Sequence, residues 1–534
     1  MKTRFSLFFL VLFASASLYA QTHIKVDNPD TWSTSSLTPY INQTVIFDVP
    51  IVVCSNNSGY TVSTRRLFTP TNQHIPCIPQ SRNPYVKLNS DGAMSLSGVS
   101  GYHRCGEKIY NLKARVNSEN SLTFISGDWR GNTRAELEAG IPEEELGDYR
   151  LLICTMNLEY YLAAGTGSGG MGPSSSSQHQ KQRTKVRKAL ARIAADVYGF
   201  VEIESGDVAL QEIADDLNSS LSGRQYTIIS DGTSPNGTFT KAGFVYDAKK
   251  VEPIGKVQEI NEKVTNRKKM ICFKEKETGE LFIFSVNHFK AKSGSGAAGG
   301  DANMNDGQGQ FNATRVAEAQ AVLTRYTAYS KQPAIKREKD ILIMGDLNAY
   351  AKEDPIMLFL KNGMMDLHRE FHADTSYSYQ FAGLAGYLDH AICNPTLFPQ
   401  VTGVCGFHIN SDEKDDYTYD KSSDNTMFRC SDHDPVLVGL KLDSTLNYDP
   451  SPSINTVEVM SNNSAQLIIR NAYIDGVDSY YAIYDICGRP VAWSGTPIKI
   501  ESSLETIQKP TAPGVYIIYI YYLGVVYPHK FIVR

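Results

Sequence analysis

Short apolar runs recur along the chain, and several of them stop abruptly at polar residues. In the segment 341–350, the run ILIM is followed by GDLNAY, so Asp346 and Asn348 come directly after a strand-like stretch. Two residues apart on an extended chain, their side chains point to the same side. The pattern predicts a buried strand that ends with a carboxylate and a carboxamide side by side.

The alternation of apolar and polar positions divides the chain into three regions. Residues 22–147 hold short β-type runs between turn residues, which predicts a small all-β domain, with an OB-like barrel as the expectation. From 149 to 442, strands alternate with amphipathic helices such as 311–329, where Asn312 is the expected N-cap, and this predicts a layered α/β domain. After a Pro- and Ser-rich linker at 443–455, residues 456–534 are strand-rich again and predict a second small β domain.

Two segments of low complexity, 164–180 and 293–310, interrupt the α/β region. Each begins soon after a strand that ends in polar residues. Surface loops and covers that fold over a substrate are both open interpretations.

The first twenty residues have the pattern of an export signal. Lys2 and Arg4 precede an apolar stretch, and small residues lie before Gln21, where cleavage is expected. No other stretch is long and apolar enough to span a bilayer. We therefore expect a protein without a transmembrane segment that is exported through the periplasm and is secreted or held at the cell surface.

The nine cysteines form no zinc-binding pattern, and their odd number leaves at least one of them unpaired. Three lie inside apolar runs and are expected to be buried thiols: Cys154, Cys272 and Cys393. Cys405 and Cys430 flank an acidic segment and form the favoured disulfide pair, with Cys77 and Cys105 second.

The formal net charge of −5 does not indicate a general polyanion binder, because phosphate contacts require Lys and Arg. Charge is unevenly placed, with basic runs at 181–192 and 266–274 and acidic runs at 135–148 and 411–416. Each run is expected to be a solvated face unless it lies beside a functional site.

Six strand ends carry side chains suited to metal and acid–base chemistry: Asn157, Glu159, Glu202, Glu204, Asn287, His288, Lys290, Asp346, Asn348, Asp389, Asp432, His433 and Asp434. Carboxylate and amide oxygens suit a hard cation such as Mg²⁺ or Ca²⁺. Two histidines can act as general base and general acid. The combination predicts attack of water on a phosphate ester.

Six motifs in a fixed order resemble the endonuclease/exonuclease/phosphatase superfamily: TMNLE, GFVEIE, NHFKAK, GDLNAY, LDHA and SDHDPV. More narrowly, residues 150–442 are similar to bacterial extracellular deoxyribonucleases of that superfamily, through NHFKAKS, GDLNAYAKEDPI and RCSDHDPVLVGL among others. The resemblance implies a four-layer α/β/β/α sandwich. It also implies Mg²⁺ as cofactor, with Ca²⁺ and Mn²⁺ as alternatives.

The resemblance also implies roles for individual residues. Asn157 and Glu202 would hold the metal, with Asp432 close to it. Asp346 would orient or deprotonate the attacking water, and Asn348 would bind the phosphate.

The two histidines would complete the site, with His433 against the scissile phosphate and His288 as the second histidine. Asp389 would partner one of them, and relatives differ as to which. Basic residues would supply further substrate contacts: Arg267 or Lys268, and Lys290. The basic run at 181–192 would lie near the same rim and could contact DNA backbone.

The tail resembles the C-terminal sorting domain of type IX secretion. Gly488-Arg489, PGVY at 513–516 and the terminal KFIVR carry this resemblance, which implies the secretion machinery as a partner. A carbohydrate-binding or immunoglobulin-like sandwich is the alternative.

The sequence thus predicts a monomeric, metal-dependent nuclease that cuts DNA, with RNA as a further substrate left open. A phosphodiesterase acting on lipids or small phosphate esters is the alternative, although Trp32, Trp129 and Trp493 all lie outside the catalytic region. A surface adhesin on an inactive catalytic fold is the other alternative. Intact Asp346 and His433 argue against it.

Overall fold

The computed structural model describes residues 22–29, 32–69, 92–163, 167, 171–230, 240–261, 266–372, 375–443, 458–461, 466–470, 479–485, 491, 498–501, 504–522 and 525–533. Several features predicted from the sequence lie outside these residues: the signal peptide, Cys77, the linker beyond 443, the Gly488-Arg489 pair and Trp493.

The N-terminal region is a β barrel. Its strands are β1 (Thr22–Ile24), β2 (Thr44–Phe47), β3 (Ile51–Ser55), β4 (Tyr60–Ser63), β5 (Met94–Ser97), β6 (Lys108–Ser118) and β7 (Ser121–Arg130). Strands β3, β4, β5, β7 and β6 pair in that order, and β6 pairs again with β3, so the ring closes. Their inward side chains form one apolar core. The all-β expectation agrees with this barrel, and its assignment as OB-like stays a prediction.

The central region contains two six-stranded sheets. Its strands are β8 (Leu151–Tyr161), β9 (Val197–Glu204), β10 (Tyr226–Ile228), β11 (Thr240–Asp247), β12 (Val251–Glu259), β13 (Lys268–Glu275), β14 (Leu281–His288), β15 (Ile341–Asp346), β16 (Met365–Asp366), β17 (Tyr379–Phe381), β18 (Leu384–Gly386), β19 (Asp389–Cys393), β20 (Val401–Gly406) and β21 (Val436–Leu440). The first sheet has the order β10-β11-β9-β8-β21-β20, and the second has the order β12-β13-β14-β15-β19-β16. Strands β17 and β18 form a separate hairpin.

Seven α-helices lie in the described part of the chain: α1 (Arg134–Ala139), α2 (Glu143–Leu146), α3 (Ser176–Ile193), α4 (Val208–Ser220), α5 (Asn312–Tyr329), α6 (Asp354–Lys361) and α7 (Leu367–His372). None of the helices in the described ranges has both the length and the apolar character that crossing a bilayer requires.

The two central sheets pack face to face and carry helices on their outer faces. Along β15, Leu342 and Met344 belong to the core between the sheets, whereas Ile341 and Ile343 belong to the core under α5 and α6. A third core joins the first sheet to α3 and α4. Because successive residues of a strand point to opposite faces, a strand buried on both sides is apolar throughout. The predicted four-layer α/β/β/α sandwich is confirmed.

Two local details differ from the sequence prediction. The N-cap of α5 is Phe311 rather than Asn312, and the carboxylate of Asp301 accepts a 2.8 Å hydrogen bond from Thr314 N in the first turn. Leu146, which the sequence placed in the N-terminal domain, packs in the core of the first central sheet. In both cases the difference results from a contact with another segment of the chain, which the local sequence pattern does not show.

The C-terminal region consists of strands in two sheets. They are β22 (Glu458–Ser461), β23 (Gln466–Arg470), β24 (Tyr480–Asp485), β25 (Ile498–Lys499), β26 (Leu504–Gln508), β27 (Gly514–Tyr522) and β28 (Val525–Val533). The sheet β22-β23-β26 and the sheet β25-β24-β27-β28 share one apolar core. The second small β domain agrees with the prediction.

The predicted disulfide between Cys405 and Cys430 is wrong, since all seven cysteines among the described residues are free thiols. Both side chains lie in the core of the first central sheet, and Cys430 Sγ lies 3.4 Å from Asn410 Oδ1. Burial raises the pKa of Cys430 to about 12. The acidic segment between them is held by ion pairs instead of by a covalent bond.

Alkylation of the unfolded but unreduced chain should therefore label Cys405 and Cys430 as completely as Cys154, a free thiol of the same core. Peptide mass spectrometry reads out the labelling. A linked pair of peptides containing Cys405 and Cys430 would contradict the free-thiol arrangement.

Candidate active site

The strand directions bring six strand ends to one edge of the sandwich. Strands β8 and β9 run parallel, as do β14 and β15, so their carboxyl ends lie together. Strands β19 and β21 run antiparallel to β15 and β8, which places their amino ends at the same edge. The side chains at this edge are Asn157, Glu202, His288, Asp346, Asp389 and His433. The topology thus converts scattered sequence motifs into one site.

An imidazole and a carboxylate form the closest pair of the site. His433 Nδ1 donates a 2.7 Å hydrogen bond to Asp389 Oδ2, which also accepts one of 2.7 Å from Ser378 Oγ. This contact identifies His433 as the partner of Asp389. His433 Nε2 lies 4.0 Å from carboxylate oxygens of both Asp346 and Asp432. Burial opposes protonation, but the three carboxylates outweigh it and raise the pKa of His433 well above its ordinary value.

Asp346 is held by amide groups. Its Oδ1 accepts a 2.8 Å hydrogen bond from Asn348 N, and its Oδ2 accepts bonds of 3.2 Å from the side chains of Asn348 and Asn157. Burial and the nearby Asp389 raise the pKa of Asp346 to about 7, although His433 works in the opposite direction. A carboxylate with this pKa can accept a proton near neutral pH.

Asn348 is hydrogen-bonded within the protein, and its contact with phosphate stays a prediction. Its Nδ2 donates both to Asp346 Oδ2 and to Phe289 O, the latter at 3.1 Å. Because an amide nitrogen carries two hydrogens, both donors are already used. In this structure Asn348 orients the carboxylate of Asp346.

Three carboxylates lie together on the other side of the site, and Arg429 and Arg267 only partly offset their repulsion. Burial, Asp432 and Asp346 raise the pKa of Glu202 to about 7, and burial and Asp432 raise the pKa of Glu159 to about 8. Glu159 Oε2 is buried and has no hydrogen-bond partner in the described part of the chain. Together with the amide oxygen of Asn157, these groups are the oxygen ligands that a divalent cation prefers.

A second group of possible ligands consists of Asp346, Asp389 and His433, whose ligand atoms lie within 4.8 Å of one another. Asp389 and His433 are already hydrogen-bonded to each other, and Ser378 also donates a hydrogen bond to Asp389.

His288 differs electrostatically from His433. Burial, Arg267 and His433 lower the pKa of His288 well below its ordinary value. Its Nε2 lies 3.6 Å from Glu202 Oε1 and 3.6 Å from Asp346 Oδ2, beyond hydrogen-bonding distance. The site thus holds one imidazole that favours the charged form and one that favours the neutral form.

Left-handed backbone conformations are concentrated at this edge. The φ angles are 50° at Glu159, 56° at Tyr160, 58° at Glu202 and 47° at Asn348. The pairing of β8 with β9 is also irregular between Asn157 and Tyr161. Such conformations cost about 1–3 kcal/mol each and persist where the surroundings enforce them, often at functional sites. Gly345 at φ 120° is required, because a Cβ there would lie 2.2 Å from Asn287 O.

A cleft of about 580 Å³ opens over these side chains. Seven of the ten predicted site residues line it: Asn157, Glu202, His288, Asp346, Asn348, Asp432 and His433. Asp389 lies behind His433 and is buried. Arg267 and Lys290 lie outside the lining, and Lys290 Nζ donates to Ser293 O and lies 4.1 Å from the ring centre of Phe311.

Two cations of the basic run 181–192, which lies in helix α3, are engaged within the protein, and the contact of the run with DNA stays a prediction. Arg183 pairs with Glu212 and Asp216 at 2.9 and 2.7 Å, and the buried Lys185 donates to Phe428 O at 2.7 Å. These cations neutralise or bind groups of the protein itself. They are therefore unavailable to a phosphate backbone.

The two segments of low complexity lie differently with respect to the cleft. Gly172 and Ser174 of the segment 164–180 line the cleft, whereas the segment 293–310 is tied to helices through Asp301 and through Gln308. The acidic run 411–416 is not a solvated face, because its first two carboxylates are buried against arginines.

Sequence reasoning missed several residues that shape the site. Ser378 fixes Asp389, and the ring of Tyr379 lies 4.7 Å from the ring of His433. Both lie in the segment 377–391, YSYQFAGLAGYLDHA, which ends with the predicted LDHA motif and is the signal that could have indicated them. Lys421 lines the cleft from a loop whose sequence carries no comparable pattern.

A model of the Endonuclease/Exonuclease/phosphatase family matches residues 167–433, half of the chain. No curated protein matches the chain.

Solved structures with a similar fold include a protein of that family from Bacteroides vulgatus, 16% identical, with a TM-score of 0.37 and coverage of 55% of this chain and 99% of that one. Another is the mannosyl-6-phosphatase of Bacteroides thetaiotaomicron, 17% identical, with a TM-score of 0.37 and coverage of 55% and 100%. A third is TDP2 of D. rerio complexed with a single-strand DNA product, 14% identical, with a TM-score of 0.36 and coverage of 55% and 99%. With half of its length matched by the family model, the chain belongs to the Endonuclease/Exonuclease/phosphatase family.

Proposed function

We propose that this protein is a metal-dependent phosphodiesterase that hydrolyses DNA with little sequence preference. The observation that carries the proposal is the Asp389–His433 hydrogen bond of 2.7 Å beside the buried carboxylate of Asp346 in an open cleft. The family includes nucleases, phosphodiesterases and phosphatases, and its enzymes depend on a divalent metal. The likeness of the six motifs to those of bacterial extracellular deoxyribonucleases favours DNA.

Glu202 and Asn157 would hold the metal, with Asp432 beside it. When bound, a divalent cation supplies positive charge against the phosphoryl oxygens and relieves repulsion among these carboxylates. Mg²⁺ is the proposed ion, because all the donors are oxygens.

Asp346 is the proposed base. Two amide groups fix its Oδ2 toward the cleft, and its raised pKa suits proton transfer from water near neutral pH. The neutral His288 lies 3.6 Å from the same oxygen and is a second candidate acceptor.

His433 is the proposed electrostatic group. Asp389 holds the imidazole of His433, which favours the charged form. His433 lines the cleft, where its Nε2 can stabilise negative charge that develops on the phosphate. Arg267 is the proposed cation for a flanking phosphate, because its side chain is only partly buried and its charge acts on Glu202 in the cleft lining. Lys421 supplies a further cation on the cleft wall.

The signal-like N-terminus and the strand-rich tail support export, followed by release or attachment at the cell surface. Recognition of the tail by type IX secretion machinery is part of the proposal.

The full mature chain should nick supercoiled plasmid with Mg²⁺ and stop when a chelator is added. Parallel assays with RNA, sphingomyelin vesicles and a sugar monophosphate compare the rival substrates. Metal-dependent turnover of lipid or monoester without any cleavage of DNA would contradict the proposed substrate.

Asp346→Asn and His433→Ala should each lower kcat by about 10²–10⁴, because each removes one proton-transfer or charge-stabilising group. Asp389→Asn should reproduce most of the His433 loss, since it removes the carboxylate that charges and orients the imidazole. The matched controls are Asp215→Asn on the exposed face of α4 and His23→Ala on β1, both exposed. Equal nicking rates for Asp346→Asn and the wild-type protein would refute the assignment of this cleft as the active site.

Glu202→Gln should raise the Mg²⁺ concentration needed for half-maximal activity by about tenfold or more, because one ionised ligand is lost. The melting temperature of the metal-free variant should not fall, since a repelled buried carboxylate has become neutral. Calorimetric titration with Mn²⁺ gives the affinity directly. Glu204→Gln, on the same strand but outside the cleft lining, is the control. Unchanged metal affinity in Glu202→Gln would remove Glu202 from the metal site.

A further inference from the structure

Two buried ion pairs join the N-terminal barrel to the central sandwich. Arg104 Nε pairs with Glu413, and Arg66 Nη2 lies 2.6 Å from Asp412 Oδ1. Arg104, Asp412 and Glu413 are 1%, 0% and 3% exposed. We call these four residues the clamp. Buried charges are expensive unless their partners are held in good geometry, so the clamp resists relative motion of the two units.

Asp412 and Glu413, the acidic residues of the clamp, lie at the beginning of the loop that forms one wall of the cleft. Tyr102 of the barrel donates a 2.7 Å hydrogen bond to Glu413 Oε2 and accepts one of 3.1 Å from Lys414 N. Its ring lies 4.7 Å from that of Tyr417. The next four residues, 418–421, line the cleft. Contacts from the barrel therefore reach the residue that directly precedes the cleft wall.

The basic half of the clamp holds the β17–β18 hairpin. Arg66 Nη2 donates a 2.7 Å hydrogen bond to Gln380 Oε1, and the backbone of Ala385 exchanges two hydrogen bonds of 2.8 Å with the barrel. The same hairpin places Tyr379 against the imidazole of His433. One arginine thus connects the barrel to the hairpin beside the proposed electrostatic group.

We propose that the N-terminal barrel is a positioning element of the active site, which sets both the cleft wall 418–421 and the hairpin beside His433. Arg66, Arg104 and Tyr102 are positioning residues, because they act through loop and hairpin and do not touch the reacting atoms. A barrel that only tethered substrate would have no reason to bury its arginines against the sandwich. The proposal rests on the proposed function only for its kinetic assay.

The test uses the full mature chain with Tyr102→Phe, a mild change that removes one hydroxyl. Without this hydroxyl, the loop that leads into the cleft wall loses the two hydrogen bonds made by Tyr102. Amide hydrogen exchange at 414–421 should therefore become faster, while β14 and β15 stay protected. The KM for plasmid should rise about three- to tenfold with kcat nearly unchanged, since small displacements of positioning groups cost up to about 10²-fold.

Arg66→Ala should instead lower kcat about tenfold, because the β17–β18 hairpin that places Tyr379 against His433 loses its hydrogen bond from Arg66. Arg66→Lys should recover part of that loss. Arg115→Ala, an exposed arginine of the same barrel, is the control for both measurements. If Arg66→Ala fails to fold, Tyr102→Phe decides the question alone. Unchanged exchange at 414–421, or faster exchange with unchanged kinetics, would overturn the proposal. A wild-type chain without phosphodiesterase activity would refute the proposed function but leave the exchange test of the clamp intact.

Discussion

The hydrogen bond between His433 and Asp389 is the interaction on which the geometry of the site depends. Asp346 and Asp389 are register partners across β15 and β19, so two buried carboxylates lie next to each other. Their repulsion, added to burial, favours protonation of Asp346. An imidazole that favours the charged form offsets this repulsion and keeps both carboxylates in place. Without His433, the edge of the second sheet would hold an uncompensated pair of acids.

His433 can occupy this position because three segments hold its loop. Ser431 Oγ donates to Asn157 O and Asn410 Nδ2 donates to His433 O, both at 2.7 Å, while Asp434 N donates to Ser378 O at 2.8 Å. The site divides accordingly. A well hydrogen-bonded half contains the imidazole and its carboxylate, and a half with left-handed backbone contains the carboxylates that we propose as metal ligands.

Much of the site could be predicted from the sequence, because apolar runs indicate strands and polar residues that follow them meet at one edge in a layered α/β fold. The histidine partner of Asp389 could not be predicted, because the sequence places both His288 and His433 at this edge and only the folded structure shows that His433 makes the hydrogen bond. The burial of Asp412 and Glu413 was also hidden, because Arg66 and Arg104 lie some three hundred residues away in the chain. Local charge patterns predict solvation and cannot reveal a distant partner.

The most direct test of this division is the position of a bound cation. Crystals soaked in Mn²⁺ would locate it by anomalous scattering. Our account predicts a single strong peak in contact with Glu202 and Asn157 and close to Asp432, with the hydrogen bond between Asp389 and His433 retained. A peak that lies between Asp389 and His433 and breaks their hydrogen bond would contradict the account.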